Sequence, residues 1–184
     1  VKRLKHQDFI IVLSRHIILN DCLILESGCG SGIYGFYLAA IGNRVVALDY
    51  QLHPLLHLTE SKRRYEQRTE RSLALHTVRG DFSALCFPDG TFDLVFNSGV
   101  IEHYSSSSDR QAILIEMTRE TKVNGLVAVA LPNKFHPMIR WWDWLIEKFS
   151  DFRSYQIPEH AISIEMIKNE MESIGLDVLW AGGI

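Results

Sequence analysis

Short apolar runs alternate along the chain with longer segments whose apolar residues recur at helical spacing. Residues 22–26 (CLILE), 44–49 (RVVALD), 92–97 (FDLVFN) and 126–131 (LVAVAL) predict strands, and 73–79 predicts a weaker one. Residues 4–17 predict a lead-in helix, and 33–40 a helix with Gly42 as its stop. A long helix is expected over 52–72, with Pro54 in its first turn, where a missing N–H costs nothing. Ser108 and Gln111 form a capping-box pattern opening a helix to residue 122, which Asn124-Gly125 ends. Residues 137–149 are helical in length. Ser163 can cap a last helix carrying Ile164, Ile167, Met171 and Ile174 on one face, with Gly175 as its stop and 176–181 as a final strand. Apolar strands alternating with helices predict an α/β fold, a mostly parallel sheet with helices on both faces. Ligands of such sheets sit at the carboxyl ends of the strands.

Composition narrows the class without changing this picture. The 184 residues are 47% hydrophobic and 22% charged, which suits one globular domain over 1–184 and excludes a disordered chain. A net charge of −3 argues against a general nucleic-acid binder. Cys22, Cys29 and Cys86 are odd in number and show no C-x-x-C, so no zinc set or disulfide framework follows and a cytoplasmic location is expected. No run approaches the ~20 apolar residues that span a bilayer. The chain opens on Val1 rather than Met, as a piece of a longer protein would.

The chemistry concentrates at Glu26-Ser27-Gly28-Cys29-Gly30-Ser31-Gly32. The first strand ends on an acid, and glycines follow at alternate positions. Glycine permits the sharp turn and lets a ligand approach the backbone with no Cβ in the way. The next helix begins there, and its free N–H groups favour an anionic group. Asp49 ends the second strand, 19 residues after Gly30, where an acid can accept two hydrogen bonds from a ribose diol. Gly30-Ser31-Gly32-Ile33-Tyr34-Gly35 also fits the dinucleotide pattern G-x-G-x-x-G. That pattern expects a pyrophosphate on the turn, and the Glu26 carboxylate is unfavourable beside one. An amino group suits Glu26 better, so the ligand reads as a zwitterion with a nucleoside attached. The bland alternative is a turn that only joins strand to helix.

With these residues the chain resembles the class I S-adenosylmethionine-dependent methyltransferases, in their small-molecule branch. Glu26, Gly28, Cys29, Gly30 and Gly32 match the first motif, whose turn contacts the methionine part of the cofactor. Asp49, with Tyr50 after it, matches the ribose-binding acid. Asp81-Phe82 matches the acid that accepts from the adenine amino group and the residue packing near the ring. Asn97 and Ser98, at the end of the fourth strand, match positions facing the cofactor. The resemblance implies a three-layer αβα Rossmann-like fold and S-adenosylmethionine as cofactor. It implies methyl transfer to an O, N or C atom of a small molecule, with S-adenosylhomocysteine as product and no metal. It also implies a seventh, antiparallel strand for which no room remains before Ile184, so a C-terminal truncation is expected.

Single residues carry two readings each. Glu26 contacts the cofactor or only holds the turn. Asp49 binds ribose or is a solvated strand-end acid, and Asp81 binds adenine or caps a turn. His103 is the candidate catalytic base, because imidazole titrates near neutrality, against a local role for Glu102-His103. His53 and His57 lie four apart on a helix, but no third metal ligand accompanies them. Residues 132–160 hold three of the four tryptophans and read as core packing, as a lid over an apolar or aromatic acceptor, or as a partner or membrane-surface contact. Tyr104, His136, Trp141 and Trp144 are the candidate substrate wall. Asn97-Ser98-Gly99-Val100 stands where a nucleobase-amino methylating enzyme carries Asn/Asp-Pro-Pro-aromatic, which lowers nucleic acid as a substrate. Two other classes stay open: a NAD-dependent oxidoreductase and a non-catalytic cofactor- or partner-binding module.

Overall fold

A computed structural model describes residues 7–81, 87–131 and 162–183. Phe82, Cys86, His136, Trp141, Trp144 and the helix expected over 137–149 lie outside them. The elements are α1 (Gln7–Leu13), β1 (Leu23–Ser27), α2 (Ile33–Ala40), β2 (Arg44–Asp49), α3 (Leu52–Thr69), β3 (Leu75–Arg79), β4 (Phe92–Ser98), a 3-10 turn (Ile101–His103), α4 (Ser107–Glu120), β5 (Thr121–Ala130) and α5 (Ile164–Ser173). The five strands form one sheet in the order β3-β2-β1-β4-β5, and every pairing is parallel. The chain builds outward from β1 to β3, then returns to the other side of β1 with β4. The switch point therefore falls between β1 and β4, where a crevice opens at the carboxyl ends.

Alternation along the strands sorts the side chains into two layers. Ile24, Val45, Ala47, Leu94 and Phe96 pack with Phe9, Leu13, Leu38, Leu55 and Leu58 under α1, α2 and α3. Leu25, Leu48 and Val95 pack with Ile113, Leu114, Met117 and Ile167 under α4 and α5. Ile24, Leu25, Leu94 and Val95 are fully buried, and each such side chain contributes roughly 1.5–3 kcal/mol of transfer free energy. This is the sandwich the pattern predicts.

Three expectations are corrected. The helix expected from Ser108 starts at Ser107, with Ser106 as N-cap and no side-chain capping bond. Ser106 Oγ and Ser108 Oγ pair with each other at 2.6 Å, so the capping box does not form. The strand expected at 126–131 begins at Thr121, and Asn124-Gly125 is a bulge within it: Thr121 pairs with Phe92, Leu126 with Leu94, and Asn124 takes φ 62°. Residues 176–181 form no strand, because an apolar run becomes one only where its backbone finds a ladder partner. The Ser163 cap does form, accepting from Met166 N at 3.1 Å. Among the described residues no helix is long and apolar enough to cross a membrane.

Candidate functional site

The glycine turn lies at the switch point. Gly28, Gly30 and Gly32 all have left-handed φ, at 74°, 48° and 63°. A Cβ on Gly28 would fall 2.6 Å from Val100 Cγ2, and one on Gly32 would strike Leu58. A Cβ on Gly30 would meet nothing within 4 Å. Two of the glycines thus serve close packing, and the third presents bare backbone to open space. Cys29 turns inward and is buried in the α1–α3 layer, so only its backbone belongs to the turn's outer surface.

Two acids brace this turn from below. Glu26 has the strand parity of Ile24, so its side chain points under α2, where Oε2 accepts from Gly35 N at 3.0 Å. A Cβ on Gly35 would collide with that carboxyl, which explains a glycine in the middle of a helix. Burial pushes the Glu26 carboxyl up to about 8, with the Gly35 bond opposing and the charge of Asp49 adding to the rise. Asp49 Oδ2 accepts from Gly30 N and Oδ1 from Gln51 N, both at 2.8 Å. One carboxylate therefore joins the glycine turn to the start of α3. Each of its oxygens keeps a second lone pair.

Parity also separates Asn97 from Ser98. Asn97 is fully buried, and its amide nitrogen donates to Met117 Sδ at 3.3 Å, on the α4 side. Its side chain therefore does not reach the rim, and only its backbone can face a ligand there. Ser98 turns the other way, where its side chain is hydrogen-bonded to the Tyr34 phenol. Tyr34 packs edge-on against Phe9 at 5.0 Å and Phe96 at 6.4 Å. Burial raises its phenol, the Ser98 bond opposes this, and Glu26 adds to it. Sequence reasoning did not single out Tyr34, whose phenol meets Ser98 at the end of β4. Its place in the first turn after the glycines was the available signal.

The remaining candidates among the described residues lie on the same edge. Gly99 donates to Ala130 O at 3.1 Å, and Val100 carries the 3-10 turn against Gly28. That turn ends in His103, which is half-buried. Tyr104 follows; burial raises its phenol, and the charges of Asp81 and then Asp109 raise it further. Asp81 is exposed and within electrostatic reach of Tyr104, although β2 and β1 stand between β3 and β4 in the sheet. Tyr50 is exposed beside Asp49. Among the described residues no group of three metal-ligating side chains converges, and His53 and His57 pair only with each other, Nε2 to Nε2 at 3.1 Å.

The model of one family, the methyltransferase domain, matches residues 25–129. The chain belongs to that methyltransferase family. The matched stretch runs from β1 through β5 and includes both bracing acids. A probable S-adenosylmethionine-dependent methyltransferase of Mycobacterium tuberculosis is 29% identical over 111 residues, 60% of this chain and 36% of that protein. A malonyl-[acyl-carrier protein] O-methyltransferase of Serratia marcescens is 30% identical over 104 residues, 56% of this chain and 36% of that protein. The matches thus span about a third of the length of these relatives. A solved structure of a SAM-dependent methyltransferase from Aquifex aeolicus superposes with a TM-score of 0.67 at 19% identity, covering 91% of this chain and 79% of that one. That likeness concerns the fold, and it agrees with the αβα arrangement.

Proposed function

We propose that the chain binds S-adenosylmethionine across the β1–β4 crevice and transfers its methyl group to a small-molecule acceptor, releasing S-adenosylhomocysteine. The observation that carries this reading is Gly30: left-handed, open to space, and held by Asp49 through its N–H. The donor set suits a zwitterion with a nucleoside. Gly28 to Gly32 would hold the methionine part, with the Glu26 carboxyl nearest its amino group. Asp49 would accept from the ribose diol with its spare lone pairs, and Asp81 from the adenine amino group. The sulfonium cofactor supplies a methyl carbon already activated for in-line displacement. The protein's task is then to align and to exclude water, which can lower the barrier by several kcal/mol. His103 would take a proton from a hydroxyl or ammonium acceptor, a contribution of about 10²–10⁴-fold where one is needed. The acceptor is read as apolar or aromatic, with Tyr104, His136, Trp141 and Trp144 along its wall. The whole reading is of a cytoplasmic enzyme, in keeping with the free, buried Cys22 and Cys29.

Calorimetric titration with S-adenosylmethionine, S-adenosylhomocysteine and NAD tests this. The first two should bind at micromolar concentrations and lose affinity in Asp49→Ala, and NAD should not bind. Binding of NAD alone would sink the methyltransferase reading and restore the oxidoreductase. Binding with no turnover on any acceptor would leave the non-catalytic module. A second arm uses Glu26, whose carboxyl is protonated at pH 7 in the free protein. An ammonium beside it should drive that proton off, so the binding heat should depend on the buffer's ionisation enthalpy in the native chain and not in Glu26→Gln.

A further inference from the structure

Arg110 lies one turn inside α4, and its guanidinium reaches backward out of the helix. Nη1 donates to Tyr104 O and to Ser105 O, each at 2.9 Å. Nε donates to Glu170 Oε2 at 3.0 Å, and Nη2 donates to Glu170 Oε1 and to Met166 Sδ. Ser107 Oγ donates to Glu170 Oε1 at 2.8 Å. The two charged side chains are only 5% and 8% exposed, yet the planar fork of Arg110 finds a partner on every side. Burial would raise the Glu170 carboxyl, but the bonds from Arg110 and Ser107 outweigh it and hold it below the ordinary value.

The carbonyls that Arg110 takes belong to the loop between the 3-10 turn and α4. The loop's exit has no capping side chain, and residues 105–108 are four serines; Tyr104 N donates to Ile101 O at 3.0 Å, and Tyr104 packs against the α4–α5 layer. Val100, just before the 3-10 turn, lies against Gly28. Glu170 comes from α5, 60 residues along the chain from Arg110. We propose that Arg110 is a positioning residue for the acceptor-side loop, and that with Glu170 it locks Tyr104 and Ser105 to α5, so that the C-terminal helix sets where the loop stands at the rim. The term acceptor-side rests on the function proposed above; the locking does not.

The test replaces both partners, Arg110→Met with Glu170→Met. Exchanging a buried ion pair for apolar side chains of similar volume is often neutral for stability, whereas removing one partner strands a charge. The expected result is a folded protein with nearly native melting temperature and unchanged affinity for S-adenosylhomocysteine. Hydrogen exchange at the His103 and Tyr104 amides should be at least about tenfold faster, a local opening rather than a global one. Native exchange at those amides in the folded double variant would overturn the proposal and leave only interhelical packing. Should the double variant not fold, Arg110→Lys, which keeps the charge and gives up the fork, is read in the same way. Failure of the native chain to bind S-adenosylhomocysteine would sink the functional reading while leaving the exchange result decisive for the lock.

Discussion

At the scale of single residues, the glycines of the first turn differ in what they do, and substitution should separate them. Gly30→Ala places its Cβ in open space, so the fold loses only the roughly 1–2 kcal/mol of a left-handed L-residue. The same Cβ intrudes where the cofactor is proposed to lie. Affinity for S-adenosylhomocysteine should fall by about tenfold or more, roughly 1.4 kcal/mol. Gly28→Ala adds a collision with Val100 to the same strain and should melt several degrees lower than Gly30→Ala. Parallel melting and binding measurements on both variants check this, and a reversed order would remove Gly30 as the open position. The sequence showed that glycines were needed but not for which reason. Val100 and Leu58, which decide it, approach only through the fold. Cys29 and Asn97 show the same limit. Both stand at motif positions, yet each side chain turns into the core, Cys29 under α1–α3 and Asn97 toward Met117. For Asn97, strand parity counted from Val95 already carried that information.

At the scale of elements, the apolar periodicity located β1, α2 and β2 to within a residue, because buried strands and amphipathic helices leave a local imprint. It failed where a tertiary partner decides. α4 starts one residue before the Ser108–Gln111 pattern, with no side-chain cap and with Arg110 reaching back to Tyr104 and Ser105. Residues 176–181 have strand composition but no ladder. The end of α3 was placed three residues late, since the helix stops at Thr69 with Glu70 in a left-handed cap at φ 56°. Glu70 is exposed, and its cap N–H already bonds Glu66 O at 2.9 Å. Glu70→Gly should therefore stabilise the protein by about 1 kcal/mol, read as a higher melting temperature. An unchanged or lower value would show that the charge at this position matters more than the backbone.

At the scale of the whole molecule, two buried acids tilt the pH profile. Glu26 is raised to about 8 and Glu120 to about 7, in both cases chiefly by burial. Glu116 adds to the rise at Glu120 and Arg119 opposes it. In the unfolded chain both would titrate near 4.3. Between that value and the folded ones, the native state holds protons that the unfolded state has released, so stability falls as pH rises. Stability from these groups is complete below about pH 4 and lost by about pH 8. Denaturant melts should give a lower midpoint at pH 8 than at pH 5.5. In Glu26→Gln, whose amide oxygen can still accept from Gly35, most of that difference should disappear. A flat profile in the native chain would mean that neither acid is protonated in the fold.

The alternation that sends Glu26 beneath α2 and Ser27 to the opposite layer, and Asn97 to Met117 while Ser98 meets Tyr34, has a consequence for how this protein can vary. Adding or deleting one residue within β1 or β4 would exchange those neighbours wholesale, placing a carboxyl in the α4 layer and a hydroxyl under α2. Heritable change inside these two strands is thus confined to substitution. Changes of length must accumulate in the connections, where the register of the sheet is not at stake.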